Sequence, residues 1–220
     1  MNILAFDTCL DKMYVAIGQD DKVLDSKIIE TTKEHYHSAF LISTITNILK
    51  DNGLSAQDVD VIATNIGPGS FTGIRACTTV ARVFSQAANT KAIGVSSLEI
   101  LAKINKSEKK TLVALDARKG MTFVAIFDGK TQILAPQSVS LEHLKEIIAK
   151  DDYFIITDDK LEPILGGVSY QKNDDNLGDD LGKYLIQIAA EKIINGSDAD
   201  WKKLLPLYIQ PPAINVKANK

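Results

Sequence analysis

Apolar and polar positions along this 220-residue chain fall into two runs of the same design. Residues 2 to 24, NILAFDTCLDKMYVAIGQDDKVL, lie over residues 111 to 133, TLVALDARKGMTFVAIFDGKTQI, at a constant offset of 109. Asp7 then falls on Asp116, and Val15, Ala16 and Ile17 fall on Val124, Ala125 and Ile126. Each copy is an apolar run ending in Asp, a polar turn, a second β-rich run, a turn over 19–22 or 128–130, and a third run. That pattern predicts a three-stranded meander. An offset near half the chain length favours duplication of a whole unit over chance likeness between two hairpins.

After the first meander the period changes from two to 3.6. Thr31-Thr32-Lys33-Glu34 offers a capping box for a helix over 33–51, which Asn52-Gly53 ends. Val61 to Ile66 reads as a short strand, 72–89 as a second helix and Ala92 to Val95 as a strand. Ser96-Ser97-Leu98-Glu99 is a second capping box, and the charged run Lys103 to Lys110 a linker. The second half repeats the logic with a helix over 140–150, a strand over 153–157 and a helix over 179–194. Antiparallel strands followed by alternating helices and parallel strands make a ribonuclease-H-like α/β unit. Two in tandem make the actin-like ATPase (ASKHA) architecture, with a single doubly wound sheet as the alternative. The expected division is 1–105, 106–200 and a C-terminal segment 201–220 returning toward the first domain.

Two helices carry more apolar surface than one core contact requires. On 33–51, Leu41, Ile42, Ile45, Ile48 and Leu49 fall within about 120° and are expected to face the core. Tyr36, Phe40, Ser43 and Asn47 form a second stripe on the far side. The apolar arc of 72–89 spans about 180° and is rich in small residues, which permit close helix approach. Tyr36, Phe40, Ser43, Asn47, Phe71, Ile74, Arg75 and Thr78 are therefore the expected partner face, serving a second copy when the chain is alone. The alternative is that the two stripes cover each other within one subunit.

Composition adds exclusions. A formal net charge of −3 with 24% charged residues leaves no basic stripe for direct nucleic-acid binding. No apolar run approaches the ~18 residues that span a bilayer, and acidic Asp7 stands where a signal peptide would need a basic flank. The expectation is a cytoplasmic protein. The two cysteines, Cys9 and Cys77, are too ill-spaced for a recognisable zinc site and read as buried free thiols.

Candidate chemistry sits at two turns. Asp7-Thr8 closes the first strand, where a carboxylate can help hold a hydrated metal and a hydroxyl can touch phosphate, or can simply form a turn. Gly67-Pro68-Gly69-Ser70-Phe71-Thr72-Gly73-Ile74-Arg75 combines glycines, a hydroxyl cap and an immediate helix start. Such a start offers backbone N–H groups to an anion, though its glycines also suit tight turns and close packing. It lacks the Lys-Ser/Thr of a P-loop. The degenerate phosphate loop is thus Asp7, Thr8, Gly67, Pro68, Gly69, Ser70, Thr72 and Gly73. His35, His37 and His143 are the only histidines. The first two splay about 200° apart on a helix and are expected at the surface. No nucleophile–base grouping is visible, and no metal ligand set.

The stretch GPGSFTGIR, with ILAFDTC, VSSLEILA, DARKG and PLYIQPP, resembles the signature of the TsaB (YeaZ) family over residues 3 to about 212. The resemblance implies a non-catalytic paralogue of TsaD, which transfers a threonylcarbamoyl group to adenosine 37 of tRNAs reading codons that begin with A. It implies binding to TsaD through helices 33–51 and 72–89, with TsaE joining, tRNA held indirectly and no membrane. Where TsaD-like proteins carry a His-Met-Glu-Gly-His metal stretch, this chain has Ser97-Leu98-Glu99-Ile100-Leu101. The adenosine-seating glycine turn of actin-like ATPases is matched by Ile155-Ile156-Thr157-Asp158-Asp159-Lys160, whose carboxylates repel phosphate. No intrinsic cofactor is expected, with ATP or ADP held only at an interface in the complex. The competing reading is an ATP-dependent small-molecule kinase of the same fold.

Overall fold

The computed structural model describes residues 1–30, 39–165, 170–172 and 178–210. The first half runs β1 (Asn2–Asp7), β2 (Lys12–Gln19), β3 (Lys22–Glu30), α1 (Leu41–Asp51), β4 (Val61–Asn65), α2 (Phe71–Ala88), β5 (Lys91–Val95) and α3 (Ser97–Ala102). The second runs β6 (Thr111–Asp116), β7 (Met121–Asp128), β8 (Thr131–Ser140), α4 (Leu141–Ile148), β9 (Phe154–Thr157), β10 (Tyr170–Lys172) and α5 (Gly178–Ile194). Each half builds a five-stranded sheet, ordered β3-β2-β1-β4-β5 and β8-β7-β6-β9-β10. In both, the first three strands are antiparallel and the last two join parallel. This is the duplicated ribonuclease-H-like unit of the actin-like architecture. The short strand β10 has no counterpart in the sequence-based expectation. The start of the helix expected over 33–51, with its capping box, Tyr36, His35 and His37, lies outside the described residues.

The strand starts of the two meanders keep the offset of 109, yet the β1/β6 superposition slips by one residue. Asp7 pairs with Tyr14, whereas Asp116 pairs with Thr122. The turn between β6 and β7 is one residue shorter, and a one-residue change of register turns every side chain of a strand to the other face. Ile3 and Ala5 therefore join the central core, while their sequence counterparts Leu112 and Ala114 join the outer core of the second sheet. Asp116 stands structurally where Thr8 stands in the first half, and the expected equivalence with Asp7 is corrected.

Alternation along the strands sorts residues into three cores. Leu4, Phe6, Val15, Ile17 and Ile62 pack against α1 and α2, and Leu112, Ala114, Val124 and Ile155 pack against α4. The central core is shared: Ile3, Ala5, Ala16 and Val61 from the first sheet meet Val113, Leu115, Ala125 and Ile156 from the second through α3 and α5. Helix α5 follows the second sheet in sequence but lies across β1, β2 and β3 of the first. Ion pairs reinforce that layer, Lys192 to Glu99 at 3.0 Å and Lys103 to Glu191 at 3.4 Å. Glu99 thus reaches α5, while Ser96 caps α3 by accepting from the Leu98 amide.

Helix α1 buries Leu41, Thr44, Ile45, Ile48 and Leu49. Ile42, expected in the core, is 66% exposed. It sits about 100° from Leu41, at the margin of the buried arc, whose centre leaves Thr44 on the inner side.

Candidate functional site

The site forms where the end of β1 meets the start of α2. Ser70 caps α2 by accepting from the Gly73 amide. The close approach explains the glycines. An added Cβ would lie 1.9 Å from the Thr8 carbonyl oxygen at Gly73 and 2.4 Å from that of Cys9 at Gly69. The Ser70 amide donates to Cys9 O at 2.8 Å, and Thr8 Oγ1 donates to Gly73 O at 3.0 Å. The glycines serve close packing of the β1–β2 turn on the helix start, and the Thr8 hydroxyl is engaged within it.

Asp7 and Thr8 are buried, whereas Ser70 and Thr72 are exposed at the start of α2. Asp7 Oδ1 accepts the Cys9 amide at 2.6 Å, while Oδ2 has no hydrogen-bond partner. Burial pushes the Asp7 carboxyl up to about 6, against the lowering by the Cys9 amide and by Asn65. Burial likewise pushes the Cys9 thiol and the Tyr14 phenol up.

Asn65, which the sequence reading passed over, organises this region with Ser97, which that reading placed only in a capping box and opposite the metal stretch of TsaD-like proteins. Asn65, closing β4, accepts the Gly67 amide at 2.8 Å through Oδ1. Ser97 Oγ lies 2.9 Å from the same oxygen and 2.7 Å from Pro68 O, tying the loop to α3. The available signal was a polar residue ending the apolar run VIATN. Outside the loop, Arg75 lies over the Phe71 ring at 3.9 Å and donates from Nε to Tyr208 Oη at 3.1 Å. The Phe71 and Tyr208 rings are 5.2 Å apart.

In the second half, Asp158 Oδ2 accepts the Asp116 amide at 2.7 Å, and its Oδ1 accepts from Lys160 and Leu161. The turn expected to repel phosphate is therefore also closed by its own carboxylate, whose pKa burial raises. His143 is exposed, with Nδ1 3.0 Å from Glu146.

Of the expected partner face, Ser43, Asn47, Phe71 and Arg75 are exposed. Phe40 is half-buried against the first core, and Ile74 and Thr78 are buried, Thr78 donating to Ile74 O. An apolar groove of about 340 Å³ runs between α1 and α2, lined by Ile42, Ile45, Leu49, Leu54, Val80 and Phe84. Its apolar α1 wall comes from residues expected to face the core, and none of Phe40, Ser43 and Asn47 lines it. No described helix is long and apolar enough to cross a membrane.

A family model described as TsaD, tRNA N6-adenosine threonylcarbamoyltransferase, matches residues 24–148. The tRNA threonylcarbamoyladenosine biosynthesis protein TsaB of Bacillus subtilis is 29% identical over 69% of this chain and 68% of its own length. Its namesake from Escherichia coli is 32% identical over 57% of this chain, and the match spans only 54% of that relative. In three dimensions, YeaZ from Pseudomonas aeruginosa covers 94% of this chain and 99% of its own, with a TM-score of 0.73 at 20% identity, a likeness of fold. The chain belongs to the TsaD (tRNA N6-adenosine threonylcarbamoyltransferase) domain family, and it is similar to proteins named TsaB.

Proposed function

We propose that this chain takes part in threonylcarbamoyladenosine synthesis on tRNA as a non-catalytic scaffold subunit that docks a TsaD-type partner through α1 and α2. The observation that carries this reading is the state of the loop. Asp7 is turned inward and fully buried, Thr8 is engaged with Gly73, and the backbone of 8–9 fills the space at Gly69 and Gly73. A carboxylate so placed is withheld from a phosphate and from the solvated metal that accompanies a nucleotide. The relatives named as TsaB biosynthesis proteins support the pathway.

The docking face follows from the groove between α1 and α2, with Ile42 and Val83, 66% and 60% exposed, on its helices. Apolar residues around a groove are what a partner helix covers. In the assembled state TsaE joins the complex, tRNA is held by the partner, and ATP or ADP sits at an interface; alone, the chain pairs with a second copy over the same face. The setting is the cytoplasm.

The test is modification of unmodified tRNA by purified TsaD, TsaE and the adenylate-forming enzyme, with and without this chain. Modification that depends on the chain, persists with Asp7→Asn and is lost with Ile42→Glu supports the scaffold. Modification without the chain overturns it.

A further inference from the structure

We propose that Asp7, Cys9 and Cys77 form a buried site for a thiophilic divalent cation of the zinc class. Cys9 and Cys77 are far apart in sequence, and neither belongs to a metal-binding spacing. The fold brings one donor atom from each of the three residues to within 4.8 Å of the others. All are buried, at 0%, 3% and 0% exposure. Zn–S bonds of about 2.3 Å and Zn–O bonds of about 2.0–2.2 Å place tetrahedral ligand atoms about 3.5–3.8 Å apart, within reach of small side-chain rotations.

The cluster carries signs of a ligand beyond proximity. Asp7 Oδ2 is buried without a partner, although its other oxygen is held by the Cys9 amide. Cys77 Sγ accepts the Thr8 amide at 3.2 Å and lies 3.3 Å from Thr8 Oγ1, contacts that hold the sulfur in the cluster. Tyr14 Oη is also buried and unpartnered, and Tyr14 lies close enough to feel the charges of Asp7, Cys9 and Cys77. Its hydroxyl supplies a hydrogen-bond partner for a water completing the coordination shell. The backbone clamp between β1 and α2 holds both sulfurs in place, and the positive end of the α2 dipole lies in the same region.

The donor set selects the metal. Magnesium and calcium take oxygen-rich shells, and a single carboxylate is a poor site for them. Two thiolates and a carboxylate suit zinc. Binding releases the two thiol protons to solvent, so affinity rises with pH. The proposal stands apart from the scaffold reading, since a buried structural ion would neither require nor exclude partner docking.

The experiment uses the full chain, refolded under reducing conditions with cobalt(II) as the spectroscopic probe. The expected result is one cobalt per chain with a thiolate-to-cobalt charge-transfer band, displaced by zinc. Cys9→Ala and Cys77→Ala abolish the band, and Asp7→Asn lowers affinity at least tenfold. The refolded wild type alone is decisive, so variants that fail to fold do not obscure the answer. Absence of the band in folded wild-type protein overturns the proposal. So does formation of a Cys9–Cys77 disulfide by glutathione disulfide with zinc present, since this would identify a redox pair instead.

Discussion

At the scale of single residues, Asp7 and Gly73 make the strongest demands on their surroundings. The Asp7 carboxyl is raised to about 6 in the folded chain by burial, above its ordinary 3.8. A raised folded pKa means that the protonated form favours folding. This contribution is complete below about pH 3.8 and disappears as pH rises through about 6. In metal-free protein held with a chelator, wild type should therefore lose up to about 3 kcal/mol relative to Asp7→Asn between pH 4 and 7. Urea unfolding of the two at each pH measures the difference, and a constant difference would remove burial as the cause. Gly73 has no such dependence. Its Cβ in Gly73→Ala would meet the Thr8 carbonyl at 1.9 Å, a backbone atom that cannot rotate away. A cost of about 1–3 kcal/mol or more, independent of pH, is expected by the same method.

At the scale of elements, α1 separates stability from docking. Ile48 is fully buried, whereas Ile42 is 66% exposed on the groove toward α2. Truncating Ile48 to Ala should cost about 2–5 kcal/mol. Ile42→Glu should shift the stability of the monomer by no more than about 0.5 kcal/mol while abolishing partner and self-association in sedimentation. An Ile42→Glu chain that still associates would move the docking surface elsewhere. The strand pairs carry a second lesson. The meanders align in sequence at one offset, but a turn shorter by one residue between β6 and β7 reverses the faces of β6 relative to β1. Two Asp residues that look equivalent thereby enter different surroundings.

At the scale of the whole molecule, α3 and α5 form a layer between the sheets. Leu98 and Leu101 of α3, with Leu185 and Ala189 of α5, belong to one core that includes strands of both. A fragment ending at 105 keeps the first sheet but lacks α5, which covers β1, β2 and β3. It should therefore show little fixed near-ultraviolet circular dichroism alone and recover it on mixing with 106–220. The intact chain should unfold in one transition; two separated transitions would show that the shared layer does not couple the halves.

Much of this architecture was legible from local pattern. The repeated meander, the helix and strand types, the Ser70 cap and the glycine loop all follow from periodicity and turn chemistry, which act over a few residues. Three decisions were made through space. The register of β6 depends on the length of a turn; α5 is assigned to the first sheet because its apolar face completes that surface; and Ile42 yields the core to Thr44 because the helix is rotated by what it packs against. The meeting of Asp7, Cys9 and Cys77 belongs with them. Sequence spacing specifies which groups are available, but closure of β1 against α2 determines which of them become neighbours, because packing optimises contact across the fold and not distance along the chain.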